Sequence, residues 1–311
     1  MAERCGIGHR FTCLPPSADP SLLDADGFYR RGRFPDTAQR MARYDREALP
    51  LACRAVANLG LDCAAAEITH LIVASCTGFA APGLDLQLAA QLGLAATVER
   101  TIVGFMGCSA AIPALRLARH IVRSHEDARV LVVAVELCSL HLQESGRLEE
   151  LLSFLHFADG CAAAVVSDRP FGIAIAGFGS AVLPATADHI TWHIGARGFA
   201  MSLSGQVPSA IVRHLRGRPA VLPEGDRSDV SLWAIHPGGR SVLDAVEAGL
   251  ALPPDALTWS RRILHDYGNM SSATVLFVLR EMMDRGAAGT GCAMAFGPGI
   301  AAETMMFQMP R

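Results

Sequence analysis

Short unbroken apolar runs alternate along this chain with longer stretches in which apolar residues recur every three or four positions. In the first half the unbroken runs are Leu71–Cys76, Thr101–Val103, Val130–Val135 and Cys161–Val166. Runs of that length, several rich in β-branched residues, predict strands buried on both faces. Helices are predicted between them, from about Asp45 to Asn58 (closed by Gly60), from Leu84 to Leu92 and from Ser109 to Arg123. Pro113 falls in the first turns of the last of these, where it does less damage than in mid-helix. The second half repeats the grammar, with strands at Leu232–Ile235, Gly291–Phe296 and Glu303–Phe307 and helices at Ser241–Leu250 and Ser271–Met283. The first forty-odd residues read as irregular, broken by Pro15, Pro16, Pro20 and Pro35. Continuous apolar strands alternating with helices predict an α/β fold with a largely buried sheet covered on both faces. The two halves share no evident sequence repeat.

Composition narrows the function classes. The 311 residues suit one large α/β unit or two fused halves, divided here at 1–168 and 169–311. No stretch of eighteen residues is free of charged or polar breaks, so no integral membrane segment is expected. The first ten residues carry Arg4, His9 and Arg10 and no apolar core, so no secretory leader is expected. The net charge is −3 with no basic run, which argues against nucleic acid as a partner. Nine cysteines without C-x-x-C spacing, an odd number, fit reduced thiols in a cytoplasmic protein.

Three segments carry candidate chemistry. Cys108 follows an apolar strand and precedes an amphipathic helix, in the small-residue setting Gly107-Cys108-Ser109-Ala110-Ala111. The positive end of a helix is expected to favour its thiolate, the nucleophilic form. His236 lies at a strand end in Ile235-His236-Pro237-Gly238-Gly239, a tight turn that would hold the ring at the sheet edge. Asn269, in Tyr267-Gly268-Asn269-Met270-Ser271-Ser272-Ala273, is well placed to cap the helix after it. Taken singly, each has a structural explanation; a Cys, a His and an Asn together form a set suited to acyl transfer.

In order along the chain, Gly107-Cys108 through Leu115-Arg116, the His236-Pro-Gly-Gly turn, the Tyr267–Ala273 segment and Phe296-Gly297-Pro298-Gly299 followed by Glu303-Thr304 resemble the chalcone and stilbene synthase family, the type III polyketide synthases. Pro82-Gly83-Leu84-Asp85 and Phe157-Ala158-Asp159-Gly160 support the resemblance. It implies a thiolase-like fold: two related halves with mixed sheets and buried central helices, layered αβαβα. It also implies a homodimer, acyl-CoA and malonyl-CoA as substrates, and no metal or redox cofactor. By motif, Cys108 would carry the acyl chain, and His236 and Asn269 would hold the malonyl thioester oxygen. Phe157 would be a gatekeeper, with Met201 standing at a second gate position where many plant members carry Phe. Cys76, Cys138, His141, Trp192 and Ser271 fall near cavity positions, and Gly297, Pro298 and Gly299 form the adjoining loop. Arg4 matches one basic residue of a CoA-binding cluster. Glu136-Leu137-Cys138-Ser139-Leu140-His141 is similar to bacterial alkylpyrone and alkylresorcinol synthases, which implies a fatty acyl starter and a pyrone or resorcinol product. Compared with the family, a first strand and helix are expected to be missing ahead of Cys5–Phe11. Two alternatives stay open at this point: a ketoacyl synthase III-like enzyme that condenses once, and a non-catalytic thiolase-fold subunit.

Overall fold

The computed structural model describes residues 5–60, 65–216, 221–222 and 229–310. Arg4 lies outside them. Two four-stranded sheets organise the chain. The first contains β1 (His70–Ser75), β2 (Glu99–Gly104), β3 (Val130–Leu137) and β4 (Asp159–Val166), in the order β2-β1-β3-β4. Its β1–β2 and β1–β3 pairs are parallel and its β3–β4 pair antiparallel. The second contains β5 (Ala174–Val182), β8 (Leu232–Ile235), β9 (Gly289–Gly297) and β10 (Ala301–Met309), in the order β5-β10-β9-β8. There β8 and β9 are parallel, and β10 is antiparallel to both neighbours. A hairpin of β6 (Ile190–Gly195) and β7 (Gly198–Leu203) stands apart from both.

Strand alternation sends side chains into different layers. On the first sheet, Ile72, Ala74, Val130, Val132 and Ala134 point inward. They meet α3 (Ala111–Ser124) and α8 (Thr274–Asp284), and so do Ala293, Ala295, Met305 and Phe307 of the second sheet. Leu71, Val73, Leu131 and Val133 point outward, under α1 (Thr37–Asn58) and α2 (Leu84–Leu92). Trp233, Ile235, Cys292 and Met294 point outward from the second sheet, under α5 (Val207–Leu215) and α6 (Arg240–Leu250). The result is a thiolase-like stack of helices, sheet, helices, sheet, helices. α3 and α8 are sandwiched between two apolar surfaces, so their small residues Ala110, Ala111, Ala114 and Ala118 are fully buried. α4 (Leu148–His156) and α7 (Thr258–Tyr267) complete the set.

Helix α1 starts eight residues before its predicted start. The Asp36 side chain accepts from the Gln39 amide and the Gln39 side chain from that of Asp36, a reciprocal cap. The early turns hid from the apolar pattern because their buried face carries Arg40 and Arg43. Arg40 is sealed inside and donates to the carbonyls of Pro35, Leu140 and Leu142, so a cation takes the place of the apolar residue that a helix pattern would show. The helix predicted from Ser109 begins as a 3-10 turn over Gly107–Ser109, followed by α3. Ser271–Ala273 forms the same kind of turn ahead of α8. Among the described residues β4 pairs only with β3, while its counterpart β10 pairs on both sides.

Candidate active site

Cys108 rides on the 3-10 turn that links β2 to α3. Phe105 and Gly107 both hold positive φ there, 55° and 60°. Gly107 has a further reason to be glycine: a Cβ at this position would lie 2.7 Å from Cδ of Pro298. The Phe296-Gly297-Pro298-Gly299 turn between β9 and β10 therefore packs directly on the turn that carries Cys108. A Cβ on Gly297 would meet the Ser109 hydroxyl at 2.5 Å.

His236 follows β8, and its amide still donates to Met294 of β9 at 2.7 Å, so the sheet fixes the backbone beneath the ring. The imidazole is 1% exposed, and neither ring nitrogen has a hydrogen-bond partner. Buried polar atoms without partners are uncommon in folded proteins and mark places where another group binds. Asn269, 2% exposed, is held from three sides. Its Oδ1 accepts from the Ser271 amide (2.8 Å), its Nδ2 donates to the Gly238 carbonyl (3.2 Å), and its main chain bridges to His156 and Ala158. The bond to Ser271 is a local turn contact and not the helix cap expected from the sequence: the N-caps are Met270 for the 3-10 turn and Ala273 for α8, neither with a side-chain cap. Nδ2 also lies 3.9 Å from Cys108 Sγ, which brings the second half of the molecule onto the thiol of the first.

Burial sets the electrostatics of the site. Desolvation pushes the Cys108 thiol up to about 11, against smaller opposing effects of hydrogen bonds from Ser271 and Asn269. The expected lowering by a helix start is overridden, because the turn is enclosed and Glu136 adds a like-charge effect. Desolvation also pulls His236 down to about 3. Both shifts favour the neutral forms of the thiol and the imidazole at neutral pH.

These groups open into a cavity of about 450 Å³. Phe157, Met201, Cys76, Cys138, Trp192, Ser271, Gly297 and Pro298 all face it, as the sequence suggested. Met201 lies opposite Trp192 in the β6–β7 hairpin, and the Trp192 indole donates to the Cys76 carbonyl at 2.8 Å, which holds the hairpin as a wall. His141 and Gly299 are not on the wall. His141 is fully buried behind it, stacked on Phe199 with ring centroids 4.2 Å apart. Its Nδ1 accepts from the Phe199 amide, so Nε2 carries the proton and donates to the Thr77 carbonyl. Burial pulls this ring down to about 4, and it supports the wall as a neutral pillar. Gly299 turns away at φ 66° to complete the β9–β10 connection.

Beneath Cys76 sits Glu136, fully buried, accepting from the Cys76 amide (3.0 Å) and from the hydroxyls of Thr77 (2.8 Å) and Ser272. Cys76 Sγ lies 3.2 Å from the Ser271 hydroxyl. Sequence reasoning missed the wall contributed by α4 and by the β7–α5 connection, namely Ser153, His156, Leu203, Ser204 and Val207. The i, i+3 spacing of Ser153 and His156 was the available signal, but it depended on recognising α4 first. Among the described residues no group of His, Cys, Asp or Glu is arranged to hold a metal ion, and no described helix is long and apolar enough to cross a membrane.

Comparison with known proteins matches the chain almost end to end. The sequence profile "Chalcone and stilbene synthases, N-terminal domain" matches residues 39–170, and "Chalcone and stilbene synthases, C-terminal domain" matches 176–310. The chain is 35% identical to "Alpha-pyrone synthesis polyketide synthase-like Pks18" of Mycobacterium tuberculosis, over 97% of this chain and 80% of that protein. It is 36% identical to 1,3,6,8-tetrahydroxynaphthalene synthase of Streptomyces peucetius subsp. caesius, over 95% and 86%. Its fold superposes on the crystal structure of the 1,3,6,8-tetrahydroxynaphthalene synthase of Streptomyces coelicolor A3(2) with a TM-score of 0.87 at 30% identity, covering 100% of this chain and 88% of that one.

Proposed function

Because this chain belongs to the chalcone and stilbene synthase family and is a type III polyketide synthase, an acyltransferase, we propose that Cys108 is loaded from an acyl-CoA starter and that His236 and Asn269 drive decarboxylative condensation of malonyl-CoA onto it. The Cys108 proton passes to His236, so that two charges which burial disfavours singly arise as an attracting pair. The thiolate attacks the starter thioester and expels CoA. When malonyl-CoA follows, its carboxylate leaves as CO2 and the electron pair moves onto the thioester oxygen as an enolate. An imidazole N–H and the Asn269 amide facing that oxygen stabilise the charge as it develops. Donors of this kind are worth roughly 3–4 kcal/mol each in comparable sites. The enolate carbon then attacks the acyl carbonyl and Cys108 leaves as thiolate, ready for another round. No metal or redox cofactor is needed for these steps.

The observation that carries this reading is the His236 ring, sealed from solvent yet without a partner on either nitrogen, beside Asn269 and Cys108 in a single cavity. Phe157, Ile190, Met201, Leu203 and Val207 make much of the wall apolar, which favours a fatty acyl starter and a pyrone or resorcinol product. A homodimer is supported by the free edge of β2, where Ile102 and Phe105 are exposed together with Phe79 and Leu86. Antiparallel pairing of two such edges would satisfy their backbone groups and bury the apolar side chains. The eight described cysteines are all free thiols, which fits the reducing cytoplasm.

The test is an assay of purified protein with malonyl-CoA and a panel of acyl-CoA starters, reading CO2 and product mass beside a Cys108→Ala control. Pyrone or resorcinol masses from long-chain starters, absent in the control, are expected. Turnover of malonyl-CoA alone to a naphthalenetetrol, with none from long starters, would overturn the starter assignment. No CO2 from folded wild-type protein would overturn the condensation itself.

A further inference from the structure

Two imidazoles face the reaction cavity. Among its described lining residues there is no Asp, Glu, Lys or Arg; beside three cysteines, His156 and His236 are the titratable side chains there. His236 is committed to Cys108 and the thioester oxygen. His156 sits on the last turn of α4, and its position is tied to the catalytic machinery at two points. Its carbonyl accepts from the Asn269 amide at 2.8 Å. Its ring covers Gly239, where a Cβ would lie 3.2 Å from Cδ2 and 3.4 Å from Nε2. In the same Pro237-Gly238-Gly239 turn, the His236 ring lies close to Gly238. The two rings therefore lie against adjacent residues of one turn, His236 buried and His156 half-buried.

We propose that His156 is a second acid–base residue of the cavity, which takes the proton of the polyketide enol as the ring closes. The inference rests on the condensation chemistry proposed above and assigns the step after it. A chain extended by two or more condensations is a β-polyketone thioester whose ketones enolise. To close a pyrone, the enol O–H gives its proton to His156. The oxygen forms a bond to the thioester carbonyl carbon, and the C–S bond breaks. The departing thiolate, of CoA or of Cys108, takes the proton back from the imidazolium. The step is balanced and consumes no co-reactant. His236 is poorly suited to it, because the condensation proposed above already assigns that ring the Cys108 proton and the thioester oxygen. Among the described residues, the following charged and titratable groups stand around His156. On its own helix the Arg147–Glu150 pair lies more than a turn away. From the N-terminal segment Arg10 binds the Phe154 and Phe157 carbonyls. From α6 there is the exposed Arg240, paired with Asp244, and across the cavity stand Cys108 and His236.

The test compares wild type with His156→Leu, which removes polarity and proton transfer, and His156→Gln, which keeps hydrogen bonding but does not titrate. Each is given malonyl-CoA and a productive starter, and CO2 release is measured beside rapid-quench mass spectrometry of lactone and open-chain thioester. CO2 release by each variant is the reference against which cyclisation is read. The ratio of lactone to open chain is expected to fall at least tenfold and to lose its pH dependence. An unchanged ratio and pH profile in His156→Leu would overturn the proposal. A loss of CO2 release in both folded variants would also overturn it, since His156 would then serve condensation or the scaffold. Wild type that releases no CO2 would instead strike the condensation chemistry on which the step rests.

Discussion

The two halves of the molecule begin their central helices with the same device and load it with different chemistry. In the first half a strand end leads through a residue at positive φ into a 3-10 turn and then α3; in the second, Gly268 and Ser271, at 72° and 48°, lead into a 3-10 turn and then α8. Cys108 stands on the first turn and Asn269 just ahead of the second. Both helices lie between the two sheets, so their starts converge in space although 161 residues separate the two side chains. The first half supplies the thiol; the second supplies the amide, and at the end of β8 the imidazole. Convergence of two helix starts from opposite directions encloses the site, and enclosure makes hydrogen-bond donors strong there.

The comparison breaks most completely at the convergent side chains. Cys108→Ala is expected to abolish acyl loading and product. His236→Ala and Asn269→Ala are each expected to lower CO2 release from malonyl-CoA by roughly a hundred- to thousandfold while the protein stays folded. A variant within threefold of wild type would remove that residue from the enolate site.

The proton pathway gives the next largest effect. Burial, helped by the Glu136 charge, pushes the Cys108 thiol up to about 11, so the account needs His236 to take its proton. A raised thiol value leaves little thiolate at neutral pH, and that fraction grows as pH rises. In His236→Ala, alkylation of Cys108 by iodoacetamide should therefore climb about tenfold per pH unit from pH 7 to 10, while wild type should already react at a near-constant rate. Parallel profiles would show that His236 does not take the proton.

The turn itself can be strained. Gly107→Ala places a Cβ at positive φ against Pro298. It is expected to cost about 1–3 kcal/mol, read as a lowered denaturation midpoint, together with loss of activity as Cys108 shifts. The smallest effect is expected at the β6–β7 wall. Met201→Phe exchanges a flexible side chain for a rigid ring facing the cavity, and should shift the preferred starter to shorter chains with little change in total CO2, read from product masses across the starter panel.

Much of this was legible in the sequence where burial is two-sided. The runs at Leu71–Cys76 and Val130–Val135 became β1 and β3, every residue of which is buried, because a strand covered on both faces has no polar alternation to confuse the pattern. β5 escaped notice because Gly177 and Gly179 interrupt it, and β6–β7 because they form a short hairpin exposed on one side. The start of α1 was hidden by buried Arg40. At the site, order along the chain picked out Cys108, His236 and Asn269, but spacing carries no measure of enclosure. The upward push on the Cys108 thiol, the place of His141 behind the wall and the presence of His156 on it all depend on which elements pack together. The pairing of β10 on both sides, against one side for β4, is likewise a fact of three dimensions.

The most direct test of the account is to find where the acyl group attaches. Wild-type protein is mixed with an acyl-CoA starter in the absence of malonyl-CoA, quenched in acid, digested and mapped by mass spectrometry. Three thiols face the cavity, Cys76, Cys108 and Cys138. The account predicts one acyl group per chain, on Cys108, and none on the Cys108→Ala protein. Acylation of Cys76 or Cys138 in wild type, or an unmodified protein that still turns over, would contradict it.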